Sequence, residues 1–274
     1  MTSCLAALAT QNDHQVAIVA ADRMVTLGNF VEFEHQIPKM VPVARSSVVM
    51  IAGDTLRGTS LVKDVVARLQ AGGIPTCGEM AAAFAAAYSE VRRQQLDHEI
   101  LNPRGLSLGE FYARHASLNP SIAAMLDQTM AQYNLGVELL LAGVDAEVAH
   151  LFTVHNPGSE YLDHDVIGYA AIGSGAIHSL QSMIGFRHHP GVSLRDALFH
   201  VYASKRRSEV APGVGEETDL AIISANGIQR LEAEQIEELR EIYEGHQEGS
   251  KNALDNKLQG LNVYLEGTTD EAPT

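Results

Sequence analysis

The chain has 274 residues, 46% hydrophobic, 19% charged and 5% aromatic, an ordinary globular mixture with enough length for one large domain or two small ones. Its 34 acidic against 19 basic residues give a formal net charge of -15, which argues against nucleic acid as a partner. Two cysteines, Cys4 and Cys77, make no disulfide framework and fit a reducing, cytoplasmic compartment, and no apolar run approaches a membrane span.

The first stretch, Met1 to Leu8, has no basic leader region, and its short apolar run meets the polar Gln11–Gln15 at once, so it reads as a strand rather than a signal peptide. Thr2 is small enough to permit removal of Met1. That removal would leave an α-amine beside a hydroxyl on one residue, and an amine so placed is a base that can activate the hydroxyl as a nucleophile. Residues 2–10 and 15–21 read as a buried hairpin. Asp22 to Thr26 follows, then a turn at Leu27-Gly28-Asn29. Ile37-Pro38 leads into an edge strand to Val43, and Ser47 to Asp54 is a buried strand ending in a Gly-Asp turn.

The middle is helical. Val62, Val65, Val66 and Leu69 recur at helical spacing over 55–71, and Gly72-Gly73-Ile74-Pro75 stops that helix. Thr76 with Glu79 predicts a capping box opening a helix to Leu96. Residues 98–119 read as an insertion between helical pieces, and Asn119-Pro120 restarts a helix to about Tyr133. Strands are expected at 136–143, 149–154 and 166–172. Gly173-Ser174-Gly175 then opens a helix carrying Ile177, Leu180 and Ile184 along one face. After a loop over 185–191, Ser193 caps a helix whose core face is Leu194, Ala197, Leu198, Val201 and Tyr202. Strands at 218–224 and 228–231 and a charged helix at 233–246 complete a domain over 1–246. Residues 247–274 form an acidic tail, peripheral or partly disordered.

Strands, two helices, strands, two helices and strands do not alternate as a parallel-sheet fold does. The order predicts an α+β protein: two antiparallel sheets face to face, a helix pair outside each, and residue 2 at the open end of an inner strand.

Six motifs in this order resemble the proteasome β-type subunits of the N-terminal nucleophile hydrolases over roughly residues 2–232. Thr2-Ser3-Cys4 is similar to the family's Thr-Thr start. Ala20-Ala21-Asp22-Arg23-Met24-Val25-Thr26 matches its Ala-Ala-Asp-Arg-Arg-x-Thr signature, and Pro38-Lys39-Met40 its catalytic-lysine segment. Ala52-Gly53-Asp54 matches the turn that supplies an oxyanion amide, Ala171 to Gly175 the Gly-Ser-Gly crossing from strand to helix, and Thr218 to Ile222 a late strand. The short start and the 98–119 insertion look most like the bacterial homologues of the Anbu type. Taken singly, each motif has an ordinary reading as a turn, a surface ion pair or a solvated lysine, and the joint order sets those aside.

The resemblance implies a four-layer αββα sandwich and a cytoplasmic threonine-type endopeptidase subunit, without cofactor or metal. It also implies self-association into a ring or spiral acting on peptides or unfolded proteins, and it leaves any ATPase regulator open. Thr2 would attack the peptide carbonyl. An α-amine ordinarily titrates at about 7.7–8.0 and a lysine at about 10.4, so the amine is the favoured proton acceptor. Lys39 would support the nucleophile, Asp22 would orient Lys39, the Gly53 amide would face the oxyanion, and Ser174 would bond the amine. Met24 replaces the family's second Arg and Gly213 a later Ser, which leaves Ser208 or Glu209 to support the amine. A non-catalytic structural subunit and an amidohydrolase acting on a small amide are the alternatives. His188-His189 and Asp163-His164-Asp165 have metal-ligand residue types but no fourth ligand at usual spacing, and Cys4 reads as a packed thiol.

Overall fold

The computed structural model describes residues 2–27, 31–34, 39–70 and 75–267. The predicted turn at Gly28-Asn29, the Ile37-Pro38 lead-in, the Gly72-Gly73-Ile74 stop and the last seven residues of the tail lie outside them. Residues 1–230 form one compact unit and residues 231–274 a second.

The first unit is α+β, with two five-stranded sheets in which every pairing is antiparallel. One sheet comprises β1 (Cys4–Gln11), β2 (His14–Asp22), β10 (Tyr169–Ile172), β11 (Thr218–Ser224) and β12 (Gly227–Arg230), in the order β10-β1-β2-β11-β12. The other runs β5 (Met40–Ala44), β6 (Ser47–Gly53), β7 (Val137–Asp145), β8 (Val148–Val154) and β9 (Leu162–Asp163). A separate two-stranded ribbon pairs β3 (Met24–Leu27) with β4 (Val31–Glu34).

Side chains alternate across a strand, and the core follows that period. Cys4, Ala6 and Leu8 of β1 share one cluster with Met50 and Ala52 of β6 and with Leu140 and Ala142 of β7, so the two sheets face each other across it. Alanine and cysteine dominate the side given by β1 and β2, which suits a chain without tryptophan. Val49 and Ile51 point the other way, into a second cluster with Leu61, Val62 and Val65 of α1 (Thr55–Gln70) and Met80, Phe84 and Tyr88 of α2 (Cys77–Leu96). The outward Leu5 and Ala7 of β1 are also fully buried, on the side where α6 (Leu194–Ser208) packs. Both faces of the central strands are therefore dry, and that is why they read as unbroken apolar runs.

Local signals behave as expected at the caps. Thr76 and Glu79 form the predicted capping box, and Ser193 caps α6 by accepting from the Asp196 amide. The 98–119 stretch is more regular than an irregular insertion. It holds a short helix α3 (Leu108–Arg114), opened by a Ser107/Glu110 capping box, before α4 (Pro120–Gln132). Leu101, Phe111, Leu126 and Met130 give it a small core of its own.

Three expectations are corrected. The strand over 166–172 shrinks to Tyr169–Ile172, because the chain turns at Gly168 in a left-handed conformation and leaves Val166 exposed. The face of α5 (Ala176–Gly185) marked by Ile177 and Ile184 is exposed, and the helix buries Ser179, Ser182 and Met183 instead. The charged helix does not end at 246. α7 runs Ala233–Gly267, because the Glu, Gln, Leu, Lys and Ala that dominate it outweigh the cost of about 1 kcal/mol for each of Gly245, Gly249 and Gly260. Among the described residues, no helix is long and apolar enough to cross a membrane.

Candidate active site

The site is made at the ends of strands from both sheets. Thr2 stands just ahead of β1, whose register pairs Cys4 with Ala21 of β2 and with Ile172 of β10. Asp22 and the Gly173-Ser174 turn are thereby carried to Ser3 and Thr2. In the other sheet Lys39 immediately precedes β5, and its carbonyl accepts from the Ile51 amide at 3.2 Å, next to the Gly53 end of β6. Thr2 and Lys39 are both 4% exposed and Asp22 is fully buried.

The Lys39 ammonium holds three oxygens, donating to Asp22 Oδ1 and Oδ2 at 2.9 Å each and to Thr2 Oγ1 at 2.5 Å. Asp22 also accepts backbone N–H groups from Ser3 at 2.8 Å, Met24 at 3.0 Å and Gly215 at 3.1 Å. A buried carboxylate is costly unless paired and hydrogen-bonded, and this one is both. Lys39 and Thr2 therefore meet at a defined point rather than at the end of a mobile side chain.

The Thr2 backbone nitrogen donates to Ser174 Oγ at 3.2 Å, and Ser174 Oγ lies 3.3 Å from the Thr2 carbonyl oxygen. With Met1 present this nitrogen is an amide; removing Met1 would make the same atom the α-amine. Gly173 lies against Thr2 with φ +90°, and a Cβ there would come within 2.2 Å of the Thr2 carbonyl oxygen. Gly53 has φ +86°, and a Cβ on it would meet the Gly136 carbonyl oxygen at 2.0 Å. Only glycine fits either turn. A cavity of about 600 Å³ opens over these groups, lined by Thr2, Gly53, Gly173 and Ser174 together with Glu138 and His155.

Thr2, Asp22, Lys39, Gly53 and Ser174 are thus brought together. Ser208 and Glu209 are not brought to the Thr2 nitrogen. Ser208 Oγ lies 2.8 Å from Ser3 Oγ and 2.6 Å from the Lys205 carbonyl oxygen, one residue removed from the nucleophile. Glu209 is taken by Lys205 at 2.7 Å and by Arg206 at 3.2 Å. The loop histidines and carboxylates are likewise engaged within the fold. His188 Nε2 lies 2.9 Å from the Leu8 carbonyl oxygen, His164 Nε2 2.8 Å from Thr153 Oγ1, and Asp165 2.6 Å from His150. Burial pushes the Cys4 thiol far above its usual range, which keeps it an uncharged packing group.

Sequence reasoning missed four contributors. Ser3 and Gly215 give N–H groups to Asp22, Glu138 accepts from the Gly173 N–H at 2.6 Å, and Ser179 lies 3.2 Å from Ser3 Oγ. Ser179 and Ser182 on an otherwise apolar helix were the available signal, since serines at helical spacing can mark a buried polar face. Nothing local marks Gly215 or Glu138. No family model matches the chain, and no match was found among curated proteins.

Proposed function

We propose that this chain is a threonine-type endopeptidase subunit of the N-terminal nucleophile hydrolase class, its sheets and helices forming that class's four-layer αββα sandwich. One observation carries the reading: the ammonium of Lys39, fixed by both oxygens of buried Asp22, touches Thr2 Oγ1 at the floor of an open cavity.

The chemistry follows from the atoms present once Met1 is removed. An α-amine with an ordinary pKa of about 7.7–8.0 is partly neutral near pH 7. Thr2 Oγ1 attacks the carbonyl carbon of a peptide bond while its proton passes to that amine. Charge develops on the carbonyl oxygen, where the Gly53 amide serves as donor, a contribution of about 2.7–4 kcal/mol in comparable sites. Collapse expels the amine of the departing fragment, which takes the proton, and leaves an ester on Thr2. Water then gives a proton to the α-amine and attacks the ester. The acid is released and Oγ1 recovers its proton. Lys39 lowers the energy of negative charge on Oγ1, and Ser174 orients the amine.

The reading extends to peptides or unfolded proteins as substrates and to a cytoplasmic ring or spiral of copies associating through their outer helices. Ile177, 66% exposed on α5, is apolar surface of the kind such contacts cover. Intact-mass analysis after treatment with a peptide epoxyketone or β-lactone tests the core of it. The expected result is a chain lacking Met1, one adduct per chain, and none on Thr2→Ala. A chain that keeps Met1, or an adduct that survives Thr2→Ala, overturns the mechanism.

A further inference from the structure

Beyond the wall formed by Gly173 and Glu138 lies a second cavity, of about 500 Å³. It shares Glu138, His155 and Gly173 with the cavity over Thr2, so the two spaces adjoin along one boundary. Its other walls differ sharply from the first. Leu162, Ile167, Ile172, Ala176, Leu180 and Ile184 line it with apolar surface. Ile184 is 63% exposed, Ile167 53% and Leu162 43%. Isolated exposed apolar residues are unremarkable, but a concave group of them beside a polar reaction centre marks a binding surface.

Two polar groups at its edge, His164 and Glu138, are held in place by hydrogen bonds. His164 Nε2 lies 2.8 Å from Thr153 Oγ1, and burial holds that imidazole below its ordinary value, so it is neutral near pH 7. Glu138 receives the Gly173 N–H at 2.6 Å, which fixes the carboxylate at the junction of the two cavities.

We infer that this cavity is the specificity subsite of the Thr2 centre and takes one large apolar side chain of a peptide residue close to the bond attacked. The inference rests on the peptidase reading. Its size falls within the range of about 300–1,000 Å³ typical of small-ligand pockets, and its lining has their usual mixture of apolar walls and a few fixed polar groups. The occupant follows from continuity. Gly173 packs against the Thr2 carbonyl and also lines both cavities, so a peptide lying over Thr2 has the second cavity within reach of a neighbouring side chain. Glu138 at the junction disfavours an acidic residue there by like-charge repulsion.

The test is cleavage of a degenerate peptide mixture by the full-length protein, with product termini read by mass spectrometry so that positions on both sides of the bond are scored. Wild type is expected to select large apolar residues at one fixed position and to reject Asp and Glu there. Ala176→Phe, which fills the cavity, lowers that preference about tenfold at that position alone. Ile184→Asp does the same from an exposed position that does not threaten the fold. Labelling of Thr2 by a small β-lactone stays at the wild-type rate in both. Cleavage without apolar selection overturns the subsite, as does a profile that neither variant changes. An unchanged profile together with loss of assembly in Ile184→Asp assigns the surface to contacts between copies and also overturns it. A wild type that neither cleaves nor labels removes the peptidase reading and the subsite together.

Discussion

Lys39 and Lys205 are both buried, at 4% and 0% exposure, and both are joined to a carboxylate. Their remaining partners separate them. Lys39 spends its third contact on the hydroxyl of Thr2, a residue that lines a cavity. Lys205 spends its other contacts on the carbonyl oxygens of Gly215 at 2.8 Å and Glu216 at 2.7 Å, and so ties α6 to the loop that follows it. That same loop sends the Gly215 N–H to Asp22. A buried ion pair is therefore not in itself the mark of a reaction centre. What distinguishes the two is whether the cation reaches a group that can react or only backbone that must be held.

Removing each lysine in turn should separate the roles most strongly. Lys39→Ala is expected to lower peptide turnover at least about a hundredfold, or roughly 2.7 kcal/mol of transition-state stabilisation. The melting temperature should fall as well, because fully buried Asp22 loses its cation, while the N–H groups of Ser3, Met24 and Gly215 still hold the carboxylate and the variant stays folded. Thr2→Ala should be as inactive, and the double variant no worse, because the two act as one unit. Fluorogenic peptide assays with circular dichroism alongside check this. Retention of more than a tenth of wild-type turnover by Lys39→Ala would remove it from the mechanism.

Lys205→Ala should show the reverse pattern. It leaves Glu209 without its buried cation and two carbonyls without a donor, a loss of about 3–5 kcal/mol of stability. Urea unfolding measures it, and a loss below about 1 kcal/mol would show that the loop holds itself. Glu209→Gln should cost much less, about 1 kcal/mol or under, because Lys205 keeps both carbonyls and the glutamine still offers an oxygen.

The smallest effect concerns pH. Burial raises the Glu209 carboxyl above its usual value, with Lys205 and Arg206 opposing. The folded state then binds the proton more tightly than the unfolded one, so this group's contribution to stability falls as pH rises from about 4.5 through the raised value. Glutamine mimics the protonated form. The melting temperature of Glu209→Gln relative to wild type should therefore increase between pH 4.5 and pH 7. A constant difference would mean that the Lys205 contact cancels the cost of burial.

Much of the body was legible from local pattern. Unbroken apolar runs at 2–10, 15–21 and 47–54 became strands dry on both faces, and Thr76 with Glu79 formed the cap that their spacing predicts. The Ser107/Glu110 box carried the same signal inside the 98–119 stretch and went unread because Pro103 and Gly105, just before it, read as a break in the helical pattern. The candidate site was legible where residues lie in short ordered motifs: Thr2, Asp22, Lys39, Gly53 and Ser174 converge. Ser208 and Glu209 were placed by position along the chain, and a single step in sequence separates Ser208, which faces Ser3, from Glu209, which faces Lys205.

Sequence by itself determined which residues share a strand or a helix face, because alternation and the helical repeat are local geometry. It also determined which residue types a hydroxyl-centred site would need. Only the tertiary structure decided which face is covered. On α5 the isoleucines at 177 and 184 form the more apolar stripe, yet the helix buries Ser179 and Ser182, because the surface beneath supplies Ser3, the Ser204 carbonyl oxygen and Arg207 as hydrogen-bond partners. Periodicity is indifferent to what lies opposite. The contact between Lys39 and Thr2, 37 residues apart, and that between Ser174 and Thr2, 172 apart, exist because the strand registers in the two sheets bring their ends to one place.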